Sequence, residues 1–293
     1  MVSFLLLGPV TKDTISRDGL VYESTGGPVY YQAGVLASLG IKTTALVTVG
    51  RGDKYLLNIF PPTVNIISSL RDNTAEFENF YPSKDPNQRR QKARLPGNSI
   101  TANELESIDI SQFDAFLVSP LSPGDIPLET LKYLYQTKKP IYLGVQGYLR
   151  HLIHNKVVLR PWKNFKKFLN LSKVIFLDEV EARVIMGTEV SDLEKIVQKL
   201  AADGPEEVVI TLGDRGSLIY SSQKNKTYRI PAVTPHETTD PTGLGDTYMA
   251  AYVTKRQESI DPKKCGIFAS QIASLKLENR GALMSDLSYL DCM

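Results

Sequence analysis

Asp240-Pro241-Thr242-Gly243-Leu244-Gly245-Asp246 runs straight into Thr247-Tyr248-Met249-Ala250-Ala251-Tyr252-Val253. This is a glycine-rich turn that opens an apolar helix and carries a carboxylate at the junction. Glycine has no Cβ, so the backbone there can adopt unusual angles and come close to a ligand. The first amides of a helix point outward and carry partial positive charge, which suits a phosphate or the charge that builds on one as it moves. Asp246 sits at the edge, where it can take a proton from a hydroxyl nucleophile. An anion hole beside a general base is the equipment for phosphoryl transfer to an alcohol. The competing reading is a tight turn with no ligand, because Gly-x-Gly at a helix start is common. No Gly-Lys-Ser/Thr follows, so the stretch is not a P-loop. A third glycine is missing and the site lies near the C-terminus, so it is not a dinucleotide fingerprint either.

Outward from this turn, short apolar runs alternate with helical stretches. Strands are predicted over 2–7, 43–49, 64–68, 113–119, 141–145, 174–177, 207–212, 217–220 and 227–230. Helices are predicted over 27–39, 126–136, 162–169, 179–186, 193–202, 245–256 and 263–277. Such alternation predicts an α/β fold whose mostly parallel sheet is covered on both faces, with ligands beyond the C-terminal strand ends. Two polar pieces break the pattern. One is a weak strand over 20–23. The other is a pair of segments, 74–81 and 89–95, around a turn at Pro82-Ser83-Lys84-Asp85-Pro86-Asn87. The pair reads as an exposed hairpin, and the two pieces together as a small second sheet that closes over the site. Residues 1–293 are expected to form one unit, with lid segments near 14–24 and 74–95.

At 293 residues, with 42% hydrophobic and 23% charged side chains, the chain is long enough for one large core. A formal net charge of +2 leaves no electrostatic footprint for nucleic acid or a membrane surface. The basic run Gln88-Arg89-Arg90-Gln91-Lys92-Ala93-Arg94 has acidic neighbours at Glu76, Glu78 and Asp85 and reads as a solvated face. Two cysteines, Cys265 and Cys292, make no disulfide framework, and no segment has the roughly 18 apolar residues of a membrane span. The N-terminal apolar run is too short for a signal segment, so a cytoplasmic location is expected. His151 and His154 are spaced i, i+3, but no cysteine or acidic cluster completes a metal site.

The opening stretch resembles the C-terminal signature of the ribokinase (PfkB-type) carbohydrate kinase family, usually Asp-Thr-x-Gly-Ala-Gly-Asp. Other landmarks follow in the family's order, so the resemblance covers essentially the whole chain. Asp13 matches the acidic residue that holds substrate hydroxyls, and Gly26-Gly27 looks like the sugar-contacting glycine pair. Asp178-Glu179-Val180-Glu181 resembles the Asn-x-x-Glu motif linked to magnesium and phosphate. Thr211-Leu212-Gly213-Asp214-Arg215-Gly216 resembles the Thr-x-Gly-x-x-Gly nucleotide turn. Each match has a plain structural alternative: Asp13 as a turn cap, Glu181 as a solvated helix residue, Gly213 and Gly216 as hairpin glycines. The chain departs from the pattern at Asp178 (usually Asn), Pro241 (usually Thr) and Leu244 (usually Ala). The ribokinase-like Asn of the first helix is absent, and Tyr31 or Gln32 stands there. Gly8-Pro9-Val10-Thr11-Lys12-Asp13 and Val145-Gln146-Gly147-Tyr148-Leu149-Arg150 look like the myo-inositol kinases of the family. Arg150 is either a polyol or phosphate contact or an arginine facing solvent.

The resemblance implies a ribokinase-like three-layer α/β fold with a small β lid. It implies ATP-dependent phosphorylation of a hydroxyl on a small polyol or sugar, with myo-inositol as the best match. Another sugar, a nucleoside, or non-catalytic sugar binding are the alternatives. In this scheme Asp246 is the base, and the amides of Gly243, Leu244 and Gly245 form the anion hole. Thr211, Gly213, Gly216 and Asn279 border ATP. Glu181 and Asp178 hold Mg²⁺ through water. Asp13, Gly26, Gly27, Gln146 and Arg150 contact substrate. A monovalent cation as activator and a homodimer paired through the lid edge are compatible with it.

Overall fold

Strand β1 (Ser3–Pro9) is buried along its whole length in the computed structural model, which describes residues 2–17, 19–81, 90–187 and 192–287. Successive side chains of a strand point to opposite faces. Accordingly Phe4 and Leu6 join one hydrophobic cluster, and Leu5 and Leu7 the other. Each such side chain adds roughly 1.5–3 kcal/mol of hydrophobic stabilisation.

The first half of the chain continues with β2 (Thr11–Arg17), β3 (Leu20–Gly26), α1 (Pro28–Ser38), β4 (Lys42–Gly50), β5 (Val64–Arg71), β6 (Ala75–Tyr81) and β7 (Arg90–Arg94). Next come α2 (Ala102–Glu106), β8 (Ala115–Val118), α3 (Leu128–Gln136), β9 (Ile141–Gly144), α4 (Gln146–Leu149), β10 (Arg150–Ile153) and β11 (Lys156–Leu159). The second half holds α5 (Phe165–Leu169), β12 (Val174–Asp178), α6 (Glu179–Met186), α7 (Leu193–Ala201), β13 (Glu207–Thr211), β14 (Ser217–Ser221), β15 (Lys226–Ile230), α8 (Leu244–Glu258) and α9 (Pro262–Leu277).

Nine strands form the large sheet in the order β15-β14-β13-β12-β9-β8-β1-β4-β5. From β5 to β13 every pairing is parallel, and β14 and β15 close the edge antiparallel. One cluster lies between the sheet and α1, α8 and α9; the other lies under α2, α3, α5, α6 and α7. This is the three-layer α/β arrangement that the alternation predicts. Because the strands are parallel, their continuations emerge on one edge: Asp13 beyond β1, Gln146 beyond β9, Asp178 ending β12 and Thr211 ending β13. Asp178 and Thr211 are register partners across the β12–β13 pair.

The smaller sheet has the order β10-β11-β7-β6-β2-β3. It corrects the sequence reading in three ways. First, it is wider, because β10 and β11 join it. They are linked by His154-Asn155, both at positive φ (48° and 61°). Two left-handed residues make a tight hairpin turn of the primed type, but His-Asn lacks the Gly that usually announces one. Second, the segment over 74–81 is not wholly exposed: Ala75, Phe77, Asn79 and Tyr81 are buried while Glu78 and Phe80 face outward. Third, Asp13 lies inside β2, paired with Ser24, and caps no turn. The predicted turn over 82–87 lies outside the described residues. The basic run's described part, β7, does turn Arg90, Lys92 and Arg94 to solvent. The helix predicted over 162–169 begins at Phe165, with Trp162 stacked on Tyr148 at 4.3 Å and 6° instead.

Candidate active site

Asp240, the first residue of the glycine-rich turn, is buried. Its Oδ1 accepts the Thr242 amide at 2.9 Å, a side-chain-closed turn, and its Oδ2 accepts the Gly281 amide at 3.4 Å. Gly243 follows at φ 76°, ψ 10° and forms the N-cap of α8. Only glycine fits there, since the backbone is left-handed and a Cβ would collide with the ring of Tyr31. The Thr247 amide donates to Gly243 O at 2.9 Å, and the Leu244 amide leans back on Pro241 O at 3.3 Å. Gly245 is exposed, and a Cβ on it would meet nothing. Asp246 lies half-buried in the first turn of α8 beside that open space. The positive end of the helix favours both its carboxylate and an incoming anion.

The residues expected to contact the acceptor lie on β2, β3 and the start of the first helix. Asp13 is buried; its Oδ1 accepts Thr11 Oγ1 at 2.6 Å, and its Oδ2 accepts Asn79 Nδ2 at 3.4 Å. Gly26 lies directly against this carboxylate, where a Cβ would collide with it. Gly27 at φ 97° is the N-cap of α1, packed on Pro9 O. The smaller sheet touches the turn at α8 directly: Tyr81 Oη and Thr242 Oγ1 are 2.8 Å apart.

Tyr31 joins these two groups, and no role was predicted for it from sequence. Its ring lies on Gly243, and its hydroxyl is buried with no hydrogen-bond partner among the described residues. Burial first, then the negative charges of Asp13 and Asp240, push this phenol well above its ordinary range. It is therefore a neutral donor at the junction of the two groups. The available signal was its position, where the family pattern has Asn. Lys276 was also missed. It is 0% exposed near the end of α9, with Nζ 2.7 Å from Asp240 O and 3.2 Å from Asn279 O. A lysine in an amphipathic helix gives no sequence sign of pointing inward.

Of the residues expected to border the nucleotide, Gly213 (φ 63°) and Gly216 (φ 85°) bracket a single helical turn after β13, and the Leu212 amide closes it on Gly216 O at 2.8 Å. A side chain at Gly216 would strike Ile230 O. Thr211 Oγ1 reaches Leu177 O at 3.5 Å. Arg215 of this turn pairs with Glu179 of α6. Asn279 folds its side chain back onto Leu275 O at 2.8 Å.

Asp178 and Glu181 cap α6 reciprocally. The Glu181 amide donates to Asp178 Oδ1 at 2.8 Å, and the Asp178 amide donates to Glu181 Oε2 at 2.9 Å. Glu181 is 4% exposed, so it is not a solvated helix residue. Burial, and then the charge of Asp178, raise its carboxyl to about 8, against lowering by the Asp178 amide, Arg150 and Gln146. Arg150 is buried too, its guanidinium over the Phe77 ring at 5.6 Å, which excludes the solvent-facing alternative. No group of three or more His, Cys, Asp or Glu suited to a metal occurs among the described residues. Two neighbouring carboxylates, one raised by burial, still suit Mg²⁺ held through its waters and completed by donor phosphates.

A sequence profile described as pfkB family carbohydrate kinase matches residues 8–287. A nucleoside kinase of Methanothermobacter thermautotrophicus is 40% identical over 97 residues, 31% of this chain and 30% of that protein. The match therefore spans less than a third of that relative. A cytidine kinase of Thermococcus kodakarensis is 26% identical over 263 residues, 86% of this chain and 88% of the relative. Among solved structures, a pyrophosphate-dependent kinase of the ribokinase family, complexed with a pyrophosphate analogue and myo-inositol, superposes with a TM-score of 0.83 at 22% identity, covering 100% of both chains. Among the described residues no helix is long and apolar enough to cross a membrane.

Proposed function

Because the chain belongs to the pfkB family of carbohydrate kinases, a family of phosphotransferases, we propose that it transfers the γ-phosphoryl group of ATP to a hydroxyl of a small polyol, with myo-inositol as the preferred acceptor. The observation that carries this reading is the convergence at Tyr31. A carboxylate able to accept polyol hydroxyls, Asp13, and a helix start suited to an anion, Gly243, lie near one buried phenol that has no hydrogen-bond partner among the described residues. Asp13 accepts acceptor hydroxyls and orients the ring. Asp246 takes the proton of the reacting hydroxyl, whose oxygen forms the new bond to phosphorus, while the bond to the ADP oxygen breaks and ADP leaves with its electrons. The amides of Gly243 and Gly245 stabilise the charge on the phosphoryl oxygens in transit. Thr211, Gly213 and Gly216 border the donor. Glu181 and Asp178 would hold Mg²⁺ through water, and the ion would supply positive charge against the donor phosphates. Gln146 and Arg150 partly offset the burial and the Asp178 charge that raise the Glu181 carboxyl. The smaller sheet closes as a lid through Tyr81 and Thr242, excluding water that would waste the donor.

The similarity to nucleoside and cytidine kinases keeps nucleosides as the second acceptor class. Pyrophosphate, on which a 22%-identical neighbour depends, is the alternative phosphoryl donor under this reading. The role of Asp246 is tested by Asp246→Asn. Calorimetric binding of myo-inositol should persist while kcat falls by about a thousandfold. Near-normal turnover in this variant would remove Asp246 as the base.

A further inference from the structure

Among the described residues, Lys276 is the one lysine that is fully buried, 0% exposed, and it sits beneath the turn that opens α8. A buried ammonium is costly unless it is paired and hydrogen-bonded. Here Nζ donates to Asp240 O at 2.7 Å and to Asn279 O at 3.2 Å, and stands 3.7 Å from Asp240 Oδ2. Its fourth neighbour is the face of the Tyr31 ring, with the centroid at 5.7 Å. Two carbonyl oxygens, a carboxylate and an aromatic face make the coordination shell of a small cation. Each partner belongs to the anion hole. Asp240 closes the turn on Thr242, the Tyr31 ring lies on Gly243, and the 276–281 segment is tied back through the Gly281 amide.

We propose that Lys276 is a built-in monovalent cation: a positioning residue whose ammonium holds the Asp240–Gly243 turn in its phosphate-binding geometry, so that the enzyme needs no added potassium or ammonium ion. The inference rests on the kinase reading above. The charge does work a neutral side chain of equal size cannot, because the two carbonyls and the carboxylate would turn away from one another without it. Misplacing the turn by about an ångström costs roughly a hundredfold in rate.

The test compares wild type, Lys276→Met and Lys276→Gly in chloride salts of choline, sodium, potassium and methylammonium at constant ionic strength. Wild-type turnover should be the same in all four. Lys276→Met should lose about a hundredfold in kcat with little change in acceptor KM. Lys276→Gly should lose as much and recover at least tenfold, saturably, in potassium or methylammonium but not in choline. Its melting temperature should rise with the same cations, a readout that needs no turnover. Wild-type dependence on potassium would overturn the proposal. So would a Lys276→Gly protein whose kcat and melting temperature ignore every cation, or a fully active Lys276→Met. Should Lys276→Gly fail to fold, Lys276→Met and the wild-type salt series decide alone. Absence of wild-type turnover on any acceptor would instead count against the kinase reading, and the cation-dependent melting of Lys276→Gly would still decide the role of Lys276.

Discussion

Tyr31 carries the most information per atom in the site. A buried hydroxyl without a partner costs about 1–3 kcal/mol, so a fold keeps one only for a reason. Its neighbours Asp13, Asp240 and Gly243 place it between the acceptor carboxylate and the phosphoryl path, where a substrate hydroxyl would complete its bonding. Tyr31→Phe should therefore leave the fold at least as stable as wild type in thermal melts, and raise acceptor KM about tenfold by removing a single hydrogen bond. Unchanged KM for every acceptor would remove Tyr31 from the substrate pocket. From sequence alone, Gly243 and Asp246 could be placed at the start of a helix, where the structure has them, and it was the match to a family motif that singled them out. Tyr31 and Lys276 were not. Their roles come from which way a helix face points in three dimensions, and a tyrosine or lysine at that spacing fits core or surface equally well.

Helix α6 shows how an element can serve two purposes. The reciprocal capping of Asp178 and Glu181 satisfies its first amides, and it also buries a carboxyl beside the donor edge. The consequence for pH follows from linkage. Glu181 is raised from its ordinary 4.5 to about 8, so the folded chain holds a proton that the unfolded chain releases. The stability it contributes is complete below about pH 4.5 and is lost as pH rises toward about 8. In the absence of Mg²⁺ and donor, urea midpoints of wild type should fall across that window, and Glu181→Gln, neutral throughout, should flatten the fall. Parallel slopes for the two proteins would show that Glu181 is charged when folded. The sequence revealed α6 through its apolar run, with Asp-x-x-Glu read as a metal motif; the structure shows that the same residues form a capping box. The sequence hid the burial, and with it the approach of Arg150 from β10 and Gln146 from α4, which partly offset it.

At the scale of the molecule, the parallel sheet explains why residues from 13 to 246 share one edge. The alternation of apolar runs and helices was enough to read this, because each buried strand is a nearly unbroken apolar stretch such as Phe4–Leu7 or Val208–Ile210. The smaller sheet was only partly legible. Its strands β6 and β7 alternate poorly by type, since the inner face mixes a small apolar cluster around Phe77 and Ala93 with a polar residue; Asn79 is buried there to meet Asp13. Its hairpin β10–β11 turns on His154-Asn155, which carries no conventional turn signature. Asp13, Asn79 and Tyr81 all belong to this sheet, so under the proposed function it is this sheet that would select the acceptor.

The most direct test of that reading measures phosphorylated acceptor, not donor loss alone. Wild-type protein with Mg²⁺ and either ATP or pyrophosphate is offered myo-inositol, ribose, fructose, adenosine, guanosine and cytidine in parallel. Phosphorylation of myo-inositol with the highest kcat/KM of the panel, using ATP, is the result predicted. Preference for cytidine or another nucleoside would contradict the polyol assignment while keeping Asp246 and the anion hole, and a chain that binds myo-inositol yet phosphorylates nothing from either donor would contradict the central claim.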